Sequence, residues 1–161
     1  MRMRTFVIGV VVLAPLLLVS PASSQSPDPW IGTWKLNVAK SKYSPGPAPK
    51  SSTLMMVAAD GGGIRQTVDS VPASWGLPTH AVSVAKFDGH DSPVKGNPNA
   101  DTSAYRSIDG HTYEVVSKKD GKITLTSRVV ISPDGKTRTV TQTGTNAEGK
   151  PVNNTLVYDR Q

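Results

Sequence analysis

Short turn signals recur along this sequence at intervals that fit β-strands. An acidic residue followed by glycine occurs six times between Asp60 and Gly149, and such pairs favour tight turns because glycine accepts a positive φ angle. The runs between them have strand length, and residues 25–161 show no hydrophobic repeat of helical period. The chain is therefore predicted to be all-β.

Eight or nine strands are predicted from these runs: 33–36, 54–59, 64–70, 80–87, 102–108, 111–118, 122–132, 136–145 and 152–160. In the run 122–132, large apolar residues alternate with polar ones and share one face, namely Ile123, Leu125, Val129 and Ile131. Many short antiparallel strands must protect their edges, and closure does so with the shortest connections. We therefore expect an antiparallel up-and-down β-barrel of about 8–9 strands rather than a two-sheet sandwich, which usually needs longer crossovers.

The first 24 residues have the three parts of a secretion signal. Arg2 and Arg4 precede an apolar run over residues 6–19, and small residues follow at 20–24. The apolar run is shorter than a membrane span and contains Pro15, and no later stretch of the sequence is long and apolar enough to span a bilayer. We expect cleavage near Ser24, export to the periplasm or the medium, and no membrane insertion after cleavage.

The expected mature chain, residues 25–161, has the size of one domain. Residues 25–52 contain the first strand and a Pro-rich strap (residues 39–50), in which three prolines forbid a regular helix or an inner strand. Residues 53–161 are predicted to form the rest of the barrel. We expect this domain to be a monomer.

Charge and cysteine content exclude several classes of function. Removing residues 1–24 takes away two arginines and no acid, so the formal net charge falls from +6 to +4. The remaining basic residues are scattered, which argues against nucleic-acid binding, because that function needs a concentrated basic surface. The chain has no cysteine, so disulfides, thiol catalysis and thiolate metal sites are excluded.

A Gly-x-Trp motif, Gly32 to Trp34, opens the first predicted strand. It resembles the signature of the first strand in lipocalins and fatty-acid-binding proteins, the calycin group, and residues 154–160 are similar to the closing strand of small exported lipocalin-like bacterial proteins. The resemblance implies that Trp34 closes the narrow end of the barrel beneath a basic residue near the C-terminus, which here is Arg160. A guanidinium over an indole is worth about 0.5 to 2 kcal/mol, so both residues are predicted to be structural.

The resemblance to fatty-acid-binding proteins is incomplete at two places. Those proteins insert two helices after the first strand, where this chain has the Pro-rich strap. Their Arg-x-Tyr clamp for a carboxylate is matched by Leu156-Val157-Tyr158, which keeps the tyrosine but replaces the arginine with leucine. This difference argues against a fatty acid held by that clamp.

Acidic residues and a histidine cluster at Asp88, His90 and Asp91. A general base or a hard metal ligand could come from this group, but Asp-Gly is a common hairpin signal and no third ligand follows at a recognisable spacing. His80 and His111 would have to meet His90 to form a three-histidine metal site, which the spacing does not require. We predict a turn here, with no catalytic residues, no metal and no cofactor.

Alternation places a mixed set of side chains inside the predicted barrel: Tyr113, Val115, Ile123, Leu125, Leu156 and Tyr158, with Arg138, Val140 and Gln142 on the neighbouring strand. Trp75 lies in a loop between two prolines, where it could cover a ligand or complete the core. The predicted ligand-binding residues are Tyr113, Tyr158, Trp75, Leu125 and Leu156.

The sequence therefore predicts a non-enzymatic exported protein that binds a small hydrophobic or amphipathic molecule. One alternative is an exported protein-interaction or inhibitor module, which a barrel filled by its own side chains would favour. Another is an enzyme that uses Asp88, His90 and Asp91, which would require these groups to converge inside a pocket.

Overall fold

The computed structural model describes residues 28–74 and 76–161, which form a closed antiparallel β-barrel. The predicted signal peptide (1–24) and the predicted ligand-binding residue Trp75 lie outside the described residues. The described chain contains ten strands: β1 (Gly32–Leu36), β2 (Ser51–Ala59), β3 (Gly63–Val71), β4 (Thr79–Ala85), β5 (Asp88–Lys95), β6 (Thr102–Asp109), β7 (Thr112–Lys119), β8 (Lys122–Ile131), β9 (Thr137–Thr145) and β10 (Pro151–Arg160).

Each strand pairs with the next one along the chain, and β1 closes the barrel by pairing with β10. Trp34 on β1 lies opposite Arg160 on β10 in this closing pair. Beyond β1, the Pro-rich strap continues beside β10, because Lys42 donates to the carbonyl of Thr155 at 2.7 Å and accepts from its N–H at 2.9 Å. The predicted antiparallel up-and-down barrel is thus confirmed, with ten strands rather than eight or nine.

The additional strand is β5, so the predicted turn from Asp88 to Asp91 is wrong. Gly89 has a φ of 80°, and the register against β6 shifts between Asp88 and Asp91. A β-bulge therefore absorbs the turn signal within the strand. Pro93 also obscured the strand, because proline cannot donate to a β-ladder and is confined to edges and bulges.

The pairing between β4 and β5 is the shortest in the described barrel wall. It joins Val82 with Lys95 and Ser83 with Val94, whereas β3 and β4 pair along the whole length of β4. This short pairing is compatible with Pro93 in β5, since few ladder hydrogen bonds with β4 are required there.

One end of the barrel, here called the closed end, is filled with aromatic side chains. The ring centroid of Tyr113 lies 5.1 Å from that of Trp30 and 5.1 Å from that of Phe87, both in edge-on geometries. Trp34 is fully buried beside them and donates from Nε1 to the carbonyl of Trp30 at 3.1 Å. Edge-on aromatic pairs add about 0.5–1.5 kcal/mol beyond their area burial, so this cluster anchors the closed end.

Arg160 covers the closed end from the last strand. Its Cζ lies 4.3 Å from the centroid of the Trp34 ring. Its three guanidinium nitrogens donate to the carbonyls of Pro29, Ile31 and Gly135 at 2.6 to 2.7 Å. One side chain thereby joins β10 to the segment before β1 and to the turn between β8 and β9.

Ile123 does not share the inward face of β8, so the prediction that it does was wrong. It is 64% exposed, whereas Val129 and Ile131 on the same strand are buried. The register against β7 passes from Leu125 directly to Ile123, leaving Thr124 as an extra residue in a bulge. Because one extra residue reverses the alternation beyond it, Ile123 turns outward.

Within residues 28–74 and 76–161, no helix is long and apolar enough to cross a bilayer.

Candidate ligand-binding cavity

A cavity of about 310 Å³ occupies the interior of the barrel on the side away from Trp34. It reaches the end of the barrel where residues 96–99 connect β5 to β6, here called the mouth. At about 30 Å³ per water molecule, this volume corresponds to about ten waters, or a molecule of about ten to fifteen non-hydrogen atoms. Small-molecule sites begin at about 300 Å³, so the interior is large enough for a small ligand.

Most strands contribute both apolar and polar side chains to the cavity wall. Its principal apolar residues are Leu54, Val68, Val94, Val115, Val129, Val140 and Leu156, and its principal polar residues are Gln66, Ser83, Ser103, Tyr105, Ser117, Ser127, Arg138, Gln142 and Tyr158. Such a wall suits an amphipathic molecule better than a purely apolar one, because ligand sites combine apolar surface with a few placed polar groups.

Most polar groups in the wall already bond to one another. The hydroxyls of Ser83 and Tyr105 lie 3.0 Å apart, and those of Ser103 and Ser117 lie 3.1 Å apart. Two buried side-chain atoms in the described chain have no hydrogen-bond partner, namely Gln66 Oε1 and Arg138 Nε. Both of their side chains line the cavity, although the two atoms themselves have almost no accessible surface.

Arg138 is the one charged side chain in the lining of this cavity in the described chain, and it is only 3% exposed. Its Nη1 donates to Sδ of Met56 at 3.0 Å, although a thioether is a weak acceptor. Its Cζ lies 5.4 Å from the centroid of the Tyr113 ring. Across residues 28–74 and 76–161, no carboxylate lies within 4.0 Å of the guanidinium.

The tyrosines around Arg138 do not offset its charge. Burial raises the pKa of Tyr105, Tyr113 and Tyr158 above the ordinary value, although the positive charge of Arg138 acts in the opposite direction on each. With these raised pKa values the phenols stay protonated near neutral pH. An arginine remains charged throughout this range, so the cavity holds an uncompensated positive charge.

Only some of the predicted binding residues line the cavity. Leu156 and Tyr158 line the cavity, whereas Tyr113 is fully buried in the aromatic cluster of the closed end. Leu125 is half-buried and is not part of the cavity lining. Trp75 lies outside the described residues, and Leu77, which is described, is exposed.

Sequence reasoning placed Arg138 on the interior face but did not select it for binding. The signal was present, because Arg138, Val140 and Gln142 occupy alternate positions on β9 and all three line the cavity. A charged residue at an inward position of an alternating strand is a candidate binding group, since buried charges usually have a partner.

The residues of the enzyme alternative lie apart from this cavity. His90 Nδ1 lies 3.2 Å from Asp88 Oδ1, but the side chain of His90 is 86% exposed. Asp91 instead pairs with Lys118 at 2.7 Å. The pKa of Asp88 is lowered chiefly by the hydrogen bond that its carboxylate accepts from the backbone N–H of His90. In the part of the chain that the structure describes, no three metal-binding side chains form a group able to hold an ion.

No protein-family model matches this chain, and comparison with curated proteins finds no match. The closed antiparallel barrel is compatible with a lipocalin-like fold.

Proposed function

We propose that this protein binds a small amphipathic molecule inside its barrel and is not an enzyme. The observation that carries the proposal is the cavity of about 310 Å³, whose wall combines apolar side chains with polar ones that include the buried Arg138. We further propose that it is an exported, monomeric member of the calycin group. Support for that relationship comes from Trp34 on the first strand and Arg160 against its ring.

The size of the cavity is consistent with useful affinity. A dissociation constant of 1 μM requires about 8 kcal/mol, which is about 0.7 kcal/mol per atom for a ligand of about 12 non-hydrogen atoms. Observed ligands reach between about 0.3 and 1.5 kcal/mol per atom. A micromolar complex therefore needs no unusual efficiency.

The interior volume favours ligand binding over the alternative of an interaction module with a filled barrel. An enzyme that uses Asp88, His90 and Asp91 is less well supported, because His90 points into solvent and Asp91 is engaged by Lys118.

Two neighbouring valines of β8 provide a matched test of binding in the cavity. Val129 is buried and lines the cavity, whereas Val130 is partly exposed on the outer face. Val129→Phe should fill part of the cavity and lower the affinity for 1-decanol and decanoate at least about tenfold, whereas Val130→Phe should leave it unchanged. Isothermal titration calorimetry measures both affinities. If Val129→Phe does not fold, Ser127→Leu can replace it, because Ser127 lines the cavity two residues before Val129 on the same strand.

Protein purified from its own host should carry a co-purifying small molecule, which native mass spectrometry detects as a mass increment. Val129→Phe prepared in the same way should lack the increment, and Val130→Phe should retain it. Repeated recovery of empty protein that binds neither decanol nor decanoate would contradict the proposed function.

A further inference from the structure

We propose that the molecule taken by this cavity is a small organic acid, and that its carboxylate pairs with the guanidinium of Arg138. The inference rests on the proposed ligand-binding function and adds a chemical class, a binding residue and an orientation. It comes from the geometry of Arg138, Gln66 and Tyr158 inside the barrel.

The charge of Arg138 is isolated inside the barrel. The side chain is almost wholly buried, and burying an ion without a counter-ion is costly. No described carboxylate lies within salt-bridge distance of it. Residues 1–27 and Trp75 contain no Asp or Glu side chain, so the rest of the chain has no such group to supply. No acidic side chain of this chain therefore balances the charge, and an anion bound in the cavity would supply the missing counter-charge.

The guanidinium of Arg138 retains hydrogen-bonding capacity. A guanidinium has five N–H donors in a planar fork that matches the geometry of a carboxylate. Here Nε has no acceptor and almost no accessible surface, and Nη1 donates to the sulfur of Met56, a weak acceptor. Tyr158 stands directly opposite Arg138 in the pairing of β9 with β10 and also lines the cavity. Its neutral hydroxyl is a further donor on the same wall.

The position of Arg138 along the barrel sets the direction in which a ligand would lie. Arg138 is the second residue of β9, close to the closed end, and Val140 and Gln142 follow it toward the mouth. A carboxylate at Arg138 therefore lies deep in the barrel, and the apolar part of the molecule extends past Val68 and Leu156 toward residues 96–99. The side chain of Gln66 also lines the cavity, so its amide group could bond to a hydroxyl on the acid.

The positive charge of Arg138 disfavours cationic and neutral ligands. A cationic head group would meet the like charge of Arg138 in a medium of low polarity, where repulsion is strong. A neutral alcohol of the same length would gain the apolar contacts but leave the guanidinium without a counter-ion. The expected order of affinity is therefore acid, then alcohol, then amine.

The experiment compares decanoate, 1-decanol and decylamine by isothermal titration calorimetry with the full chain at pH 7.4. Decanoate should bind about 10- to 100-fold more tightly than 1-decanol, which is the range expected for hydrogen bonds to a charged group. Arg138→Met should abolish this preference by weakening decanoate alone. Arg128→Met, which removes an exposed arginine of the neighbouring strand β8, should keep it. Thermal unfolding curves establish that both variants are folded.

The outcomes separate this inference from the proposed function. If neither compound binds, the proposed function fails as well. If decanol and decanoate bind with equal affinity, and Arg138→Met changes both affinities by the same factor, ligand binding stands and the acid inference is overturned. If chloride or phosphate displaces decanoate through Arg138 at millimolar concentration, the site takes an inorganic anion, which also overturns it. If Arg138→Met does not fold, Arg138→Gln replaces it. The order of affinity of the three probes for the native protein also tests the inference without any variant.

Discussion

Replacing Arg160 with alanine should lower the free energy of unfolding by about 4 kcal/mol. The guanidinium lies over the ring of Trp34 at 4.3 Å, a contact of about 1 kcal/mol within the usual range of cation–π interactions. It also donates three hydrogen bonds to backbone carbonyls. A hydrogen bond from a charged donor contributes about 1.5–3 kcal/mol, but this side chain is only partly buried, so we assign about 1 kcal/mol to each.

The assay is urea unfolding of the wild type and the variant, followed by tryptophan fluorescence and by circular dichroism. For a domain of this size, each kcal/mol shifts the melting temperature by about 3 °C, so a thermal scan should show a fall of about 12 °C. Arg160→Lys should lose about half as much stability, because an ammonium can remain over the indole but cannot reach three carbonyls together.

Arg106→Ala is the matched control. Arg106 pairs with Glu114 at 2.6 Å, but its side chain is 65% exposed, and exposed ion pairs contribute at most about 1 kcal/mol. If Arg160→Ala costs no more than Arg106→Ala, then Arg160 does not hold the closed end together, and the structural role assigned to this residue is wrong.

Two further predictions concern burial and backbone geometry. Folding stability should decline above pH 10. Folding raises the pKa of every tyrosine above its ordinary value of 10.0, so the protein loses stability as the phenols ionise. Urea midpoints at pH 8 and pH 11 test this, and a rise in tyrosinate absorbance with a midpoint near pH 10 in the folded protein would contradict it. The residues concerned are Tyr43, Tyr105, Tyr113 and Tyr158. Gly144→Ala should lower the free energy of unfolding by more than about 2 kcal/mol, because Gly144 has a φ of 143° and an added methyl would overlap the carbonyl of Thr124. Gly110→Ala, the control, should change it by less than about 0.5 kcal/mol. Equal urea midpoints for the two variants would refute this prediction.

The barrel was predictable from sequence because turn chemistry and alternation are local properties. Glycine-containing turns marked most strand ends, and the alternation along β9 and β10 placed Arg138 and Tyr158 inside. The failures arose where a bulge interrupted the local pattern. Gly89 lies in a bulge of β5 rather than in a hairpin turn, and Thr124 turned Ile123 outward.

The cavity was less predictable because it depends on strands that are distant in sequence. Alternation can indicate that Leu156 and Tyr158 face inward, but the space left between side chains depends on how all the strands pack together. The isolation of Arg138 is likewise a property of three-dimensional proximity. The twelve acidic residues of the chain gave no sign in sequence that none would lie within reach of this guanidinium.

The short pairing between β4 and β5 has a consequence for how molecules exchange with the interior. Local opening of a protein requires the least free energy where few backbone hydrogen bonds must break, so we expect amide exchange in the barrel wall to be fastest along this seam between β4 and β5. Val82, Ser83 and Val94 belong both to the seam and to the cavity wall. A transient separation there would connect the interior to solvent through the barrel wall, so the apolar end of the proposed ligand could leave by this route while the loops of the mouth stay in place.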